Sequence, residues 1–114
     1  MVIGVIPARL NSTRFPKKIL ADLGGKPMIA YVAEQASMSK KLDKVVIAID
    51  DKETERSLEK FDYNLVMTSR NHKSGTDRVA EVVKKELEAE IVINIQGDEP
   101  LIDPNLIDDL IDLF

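Results

Sequence analysis

The chain has 114 residues, a length that suits one domain with a single core, and it is 44% hydrophobic and 32% charged, a balance that excludes a disordered chain. Without cysteine and with one histidine, His72, it holds no disulfide framework and no thiolate or multi-histidine metal site, so a metal would have to rest on oxygen ligands, as Mg²⁺ does. A net charge of −4 argues against a general nucleic-acid or membrane binder, no apolar run is long enough to span a bilayer, and the N-terminus has no secretory signal, so a cytoplasmic location is expected.

In chain order, Val2 to Ile6 is a short Val/Ile-rich run without polar alternation, the pattern of a strand buried on both faces. It leads into Pro7-Ala8-Arg9-Leu10-Asn11-Ser12-Thr13-Arg14-Phe15-Pro16-Lys17-Lys18, which is long for a strand-to-helix connection. Residues 1–27 carry a net +4 and the remainder −8, so this connection is a local positive segment on an acidic protein. Its arginines, lysines and hydroxyls suit the oxygens of a polyphosphate. It contains no glycine and is therefore neither a Walker loop nor a dinucleotide fingerprint; the alternative is a solvated basic loop.

Pro27 is expected to open a helix at its first position, with Met28, Val32 and Ala36 flanked by Ile29 and Ala33 as the apolar stripe. Val45 to Ile49 reads as the second strand. The Asp50-Asp51 pair after it is most simply a cap for a second helix, whose Leu58 and Phe61 face inward. Asn64 to Met67 is the third strand. In the polar segment Thr68 to Arg78, Ser74 to Asp77 fits a capping-box start, and a helix N-terminus also receives polar ligand groups. His72 is expected to be structural or exposed. Val79, Val83 and Leu87, with Val82 alongside, mark the apolar face of the third helix.

Ile91 to Ile95 is the fourth strand, and Gln96-Gly97-Asp98-Glu99-Pro100 follows it. A carboxylate at a strand end can hold Mg²⁺ bridging nucleotide phosphates, or it can cap the next helix. Pro104 opens a last helix whose Leu106, Ile107, Leu110, Ile111 and Phe114 are expected to face a core. Because the sequence stops at Leu113-Phe114 on that apolar face, the chain is expected to be part of something longer.

The alternation β-α-β-α-β-α-β-α implies an α/β fold with a doubly wound, mostly parallel sheet. Ligands of such sheets bind beyond the carboxyl ends of the strands, where strand order reverses. If strands one and four are neighbours there, the segment Arg9 to Lys18 and Asp98 converge on one crevice. Cations for phosphates beside a carboxylate for Mg²⁺ are the parts that stabilise phosphoryl transfer.

Four stretches together resemble the 3-deoxy-manno-octulosonate (Kdo) cytidylyltransferase family, the CMP-Kdo synthetases. They are Ile6-Pro7-Ala8-Arg9 with Ser12-Thr13-Arg14, Pro16 and Lys18; Gly25-Lys26-Pro27-Met28-Ile29; Ser74-Gly75-Thr76-Asp77-Arg78-Val79; and Gln96-Gly97-Asp98-Glu99-Pro100. The resemblance covers almost the whole chain and implies the N-terminal, nucleotide-binding portion (residues 1–114) of a glycosyltransferase-A-like nucleotide-diphospho-sugar transferase fold. It implies joining of CTP to Kdo, giving CMP-Kdo and pyrophosphate for lipopolysaccharide biosynthesis. Arg9, Ser12, Arg14 and Lys18 would hold the triphosphate, Gln96 and the stretch around Ser74 the cytidine, and Asp98 the Mg²⁺. Arg14, Lys18 and Asp98 would be the catalytic set.

Lys17 and Asn71 depart from the family's usual glycine and acidic residue, which touches only fine contacts. The C-terminal half of the family, with a second metal ligand, most of the sugar pocket and the homodimer surface, has no counterpart in these 114 residues. An incomplete, inactive or weakly active fragment is the expectation. The rival readings are a cytidylyltransferase for another acidic sugar (8-amino-Kdo or sialic-acid-like) and a non-catalytic nucleotide-binding module. A receiver-type domain would need an acidic cluster where Pro7-Ala8-Arg9 stands.

Overall fold

The computed structural model describes residues 1–8, 26–59, 61, 63–69, 75–86, 89–95 and 102–113. In chain order these form β1 (Val2–Ala8), α1 (Met28–Ser37), β2 (Lys44–Ile49), α2 (Lys52–Leu58), β3 (Asn64–Met67), α3 (Gly75–Lys85), β4 (Ile91–Asn94) and α4 (Pro104–Asp112). The sheet has the order β3-β2-β1-β4 and all three pairings are parallel. Strand order therefore reverses at β1, which lies between β2 and β4, as the doubly wound reading expects.

The uninterrupted apolar runs are explained by burial on both faces. Ile6, Ala8, Ile47, Ile49, Ile93 and Ile95 pack with Ile29, Val32, Ala33 and Ala36 of α1, Leu58 of α2, and Ile107 and Ile111 of α4. Ile3, Val5, Val46 and Ala48 point the other way and pack with Val82 of α3. The switch of face between neighbouring residues is the period-two alternation of a pleated strand.

β1 runs two residues past the expected Ile6. Pro7 is accommodated because Val5, two residues earlier, turns its carbonyl toward β4 and accepts from the Ile95 amide at 2.9 Å. By alternation the missing donor of Pro7 faces the same side, beyond the last β1–β4 pair, Val5 with Asn94. Gly4 answers to space: a Cβ there would stand 2.9 Å from Ile95 Cδ1 and 3.0 Å from Leu42 Cδ1.

Pro27 sits at the N-cap of α1 in extended conformation (φ −65°, ψ 151°), one position before the place expected for it. Two helices bury a narrower face than their sequences suggest. On α3 the inward line is Arg78 and Val82, both fully buried, with Val79 partly buried at its side; Val83 is exposed and Leu87 lies outside the described residues. On α4, Ile107 and Ile111 are buried, whereas Leu106 (54%) and Leu110 (41%) face outward and Phe114 lies outside the described residues.

α4 is seated by polar bonds on its flank as well as by its isoleucines. The Asp108 carboxylate accepts from the Ser39 hydroxyl and from the amides of Lys40 at 3.3 Å and Lys41 at 3.2 Å, and Lys41 pairs with Asp112. These bonds tie α4 to the turn after α1 and fix its rotation so that one apolar line, not two, meets the core.

The packing generates two predictions. Gly4→Val will lower the unfolding midpoint in urea more than Gly4→Ala, with a cost of about 1 kcal/mol for Ala and up to about 3 kcal/mol for Val, because both contacts are ends of flexible side chains that yield only so far. The second concerns Asp108, whose pKa is held below the ordinary value near 3.8, first by the Ser39 hydroxyl and then by the two amides. A depressed carboxylate contributes stability that is present above its unfolded pKa and is lost as pH falls through the folded one. The difference in urea midpoint between the native chain and Asp108→Asn will therefore be constant from pH 7 to 5 and shrink below pH 3.8; a constant difference down to pH 2.5 would contradict this assignment.

Candidate functional site

Because the strands are parallel, their carboxyl ends form one row, in the order of β3, β2, β1 and β4. β1 ends in Ala8, fully buried, and β4 is followed by Ile95, 1% exposed and bonded to β1 through its amide. Arg9 directly follows the first and Gln96 the second. The two segments expected to carry the chemistry thus depart from adjacent strands at the reversal point, where open α/β sheets bind their ligands.

Arg9, Ser12, Arg14, Lys18, Ser74, Gln96 and Asp98 themselves lie outside the described residues, as do Gly97, Glu99 and His72. Lys26, from the second motif, is described. Its ammonium pairs with Glu34 of α1 and stands 5.3 Å from the centre of the Tyr31 ring, and the Glu34 bond raises its pKa.

The Asp50-Asp51 pair divides its duties. Asp51, 5% exposed, caps α2: its carboxylate accepts from the amides of Glu53 at 2.9 Å and Thr54 at 3.2 Å and from the Thr54 hydroxyl. Asp50 turns instead to Arg78 of α3, with Nη2 3.4 Å from Oδ2. Neither the expectation of a shared cap nor the apolar periodicity of α3 foresaw that pair. The available signal was an arginine four residues before Val82, on the line of the helix that faces the sheet.

Arg78 is fully buried at the carboxyl end of β3. Its Nη1 donates to the Thr68 hydroxyl and to the Ser69 carbonyl at 3.0 Å. The Thr68 hydroxyl donates in turn to the Ile49 carbonyl at 2.8 Å, and the Thr68 amide to the same oxygen at 2.7 Å. Further along α3, Glu81 accepts from the Ser69 amide at 3.0 Å and Lys85 donates to the Met67 carbonyl at 2.9 Å. The ends of β2 and β3 and the start of α3 are thereby one hydrogen-bonded unit.

Among the described residues no three His, Asp or Glu side chains gather as a metal site, and no helix is long and apolar enough to cross a membrane. With Asp51 engaged as a cap and Asp50 paired with Arg78, the described carboxylates at this end of the sheet do not offer a cation site of their own. A cleft of about 230 Å³ opens at the opposite, amino end of β2 and β3, beside Lys44, Tyr63 and Asn64. Burial raises the pKa of Tyr63 there. That cleft is on the wrong side of the sheet for the chemistry expected after β1 and β4.

Comparison with known proteins agrees with this geometry. A 3-deoxy-manno-octulosonate cytidylyltransferase of Thermodesulfovibrio yellowstonii is 52% identical over all of this chain and 48% of its own length. An 8-amino-3,8-dideoxy-manno-octulosonate cytidylyltransferase of a Shewanella species is 49% identical over 99% of this chain and 47% of its own. The solved structure of a CMP:2-keto-3-deoxy-manno-octonic acid synthetase complexed with CTP superposes with a TM-score of 0.92 at 44% identity, over 97% of this chain and 46% of that one. The chain thus spans a little under half the length of the relatives it matches. A sequence model of the cytidylyltransferase family matches residues 3–113, nearly end to end. With that match and the parallel sheet reversing at β1, the chain belongs to the cytidylyltransferase family.

Proposed function

We propose that this chain is the nucleotide-binding part of a cytidylyltransferase that joins CTP to Kdo, giving CMP-Kdo and pyrophosphate for lipopolysaccharide assembly in the cytoplasm. The observation that carries this reading is the adjacency of β1 and β4 at the reversal of strand order, with the basic segment following β1 in the sequence and the Gln96–Pro100 segment following β4 and Ile95.

In the reaction, the anomeric hydroxyl of the sugar attacks the α-phosphorus of CTP, a P–O bond forms to the sugar, the bond to the β-phosphate breaks, and the hydroxyl proton is lost to solvent or a base. Arg9, Ser12, Arg14 and Lys18 hold the triphosphate, and Lys18 offsets the charge that develops on the departing pyrophosphate. Arginine at position 14 supplies a planar fork matched to phosphate oxygens. Gln96 and the stretch around Ser74 hold the cytidine.

Cytidylyltransferases generally use a divalent metal. Asp98 is the residue that would hold Mg²⁺ here, and the ion would neutralise phosphate charge. A homodimer of the full-length protein and a sugar pocket built from residues beyond these 114 complete the proposal. In this reading the chain alone binds nucleotide and transfers it poorly or not at all.

A second acceptor is favoured by one finding: relatives named for Kdo and for its 8-amino analogue match this chain at nearly equal identity. The portion present is the shared nucleotide half, so it does not choose between them.

Calorimetric titration with CTP, UTP, GTP and ATP, with and without Mg²⁺, tests the reading. CTP is expected to bind most tightly, to gain affinity with Mg²⁺, and to lose about tenfold to a hundredfold in Arg14→Ala, the size of a charge-assisted hydrogen-bond loss. Absence of binding to any nucleotide by the folded chain would overturn the assignment of a self-contained nucleotide site to these residues.

A further inference from the structure

We propose that Lys85 guards the outer edge of β3 against strand pairing, and that the strand it keeps away is the same edge of a second copy of this chain. Neither Lys85 nor β3 has a part in the nucleotide reading, so the two stand or fall separately.

β3 ends the row of strands: among the described residues it pairs only with β2. The backbone groups of a strand alternate in direction, and one bond fixes which of them face outward here. The Thr68 amide donates to the Ile49 carbonyl of β2 at 2.7 Å, so Thr68 and, two residues earlier, Val66 turn toward β2. Leu65 and Met67 therefore point their N–H and C=O groups away from the sheet. Such a row, on a strand whose side chains include Leu65, Val66 and Met67, is a template for a further strand. Met67 is 39% exposed, which leaves that end of the edge accessible.

The Lys85 ammonium donates to the Met67 carbonyl, one of these outward groups, at 2.9 Å. Lys85 stands in the last turn of α3 with its side chain 51% exposed, and Glu81, one turn earlier, holds it in line at 3.1 Å. Besides seating α3, the bond takes the acceptor that a second strand would need.

A two-fold axis at Val66 would set Leu65 of one copy opposite Met67 of the other, where facing residues exchange both backbone bonds. The Leu65 amide would then require the carbonyl that Lys85 already occupies on the second copy. Pairing would have to displace a strongly hydrated ammonium on each side and bring two like charges to one seam. An exposed lysine is one of the devices by which sheet edges are kept apart.

The test is sedimentation equilibrium of the native chain, Lys85→Met, Lys85→Arg, and Lys85→Met combined with Met67→Pro. Hydrogen exchange is read at single amides on the same samples, and thermal melts check that each variant is folded. Lys85→Met keeps an apolar stem and loses the ammonium, whereas Lys85→Arg restores a charged donor. Proline at position 67 removes an outward donor only, because the ladder to β2 uses Val66 and Thr68. Lys85→Ala replaces Lys85→Met should the latter unfold, and the exchange pattern decides should the proline variant unfold.

Lys85→Met is expected to dimerise at least about tenfold more tightly than the native chain or Lys85→Arg, the equivalent of one charge-assisted bond. The Leu65 and Met67 amides gain protection in that dimer, and Met67→Pro returns the affinity to the native value. Association of Lys85→Met no tighter than that of the native chain would overturn the proposal. Association that survives Met67→Pro, or that leaves the Leu65 and Met67 amides unprotected, would do the same, because the copies would then meet elsewhere, as on the exposed Leu106 and Leu110 line of α4.

Discussion

The structure depends on the enclosure of β1 from four sides. β2 and β4 occupy its two edges, α1 and α4 lie over one face and α3 over the other. Val5, Ile6 and Ala8 are 0% exposed as a result, and even Gly4 has no room for a methyl group without movement of Ile95 and Leu42. A strand so enclosed cannot carry a polar side chain along its length, because an unpaired buried polar group costs several kcal/mol, roughly 2–7 on transfer scales. Chemistry is confined to where the strand stops. The parallel arrangement then brings every strand's stopping point to the same end, and the reversal of order at β1 separates the helices that follow β1 and β3 onto opposite faces.

Much of this was legible in the sequence, because burial on both faces writes itself as unbroken Val and Ile. The third strand was read with both ends correct, and the others within two residues. The adjacency of β1 and β4 stood as a condition that the strand order meets, and the four motifs led to the family. What periodicity could not show was which of two apolar lines a short helix turns inward. α4 presents Ile107 and Ile111 on one line and Leu106 and Leu110 on another, and the choice is made by Asp108 and Asp112 gripping the turn after α1. That contact joins residues about 70 positions apart, so no local pattern encodes it.

The polar interior was harder still to read. In sequence Asp50 and Asp51 are a doublet at a helix start, and either could be the cap. In the fold, alternation turns the two side chains different ways, so one meets the amides of α2 and the other meets α3. Arg78 was similarly concealed. It belongs to a recognisable motif, yet arginine in a helix is ordinarily a solvated residue, and its burial depends on an acceptor set assembled from the ends of two other elements. The phosphate and cytidine roles proposed for the motif residues come from resemblance alone, since they concern a ligand rather than the packing of the chain.

Arg78 also accounts for an imbalance between the two faces of the sheet. The face that carries α1, Leu58 of α2 and α4 is covered by a broad apolar cluster, whereas among the described residues α3 contributes one buried apolar side chain, Val82, with Val79 beside it. Apolar contact is non-directional, and so narrow a footing would let α3 rotate or slide at small cost. Directional bonds from Arg78, Glu81 and Lys85 to residues 67–69 remove that freedom. The helix held mainly by hydrogen bonds is also the one that directly follows Ser74 in the sequence, a residue proposed to contact the nucleoside. A larger apolar face would have secured α3 against unfolding without fixing where it begins; the buried guanidinium fixes its start relative to the ends of β2 and β3.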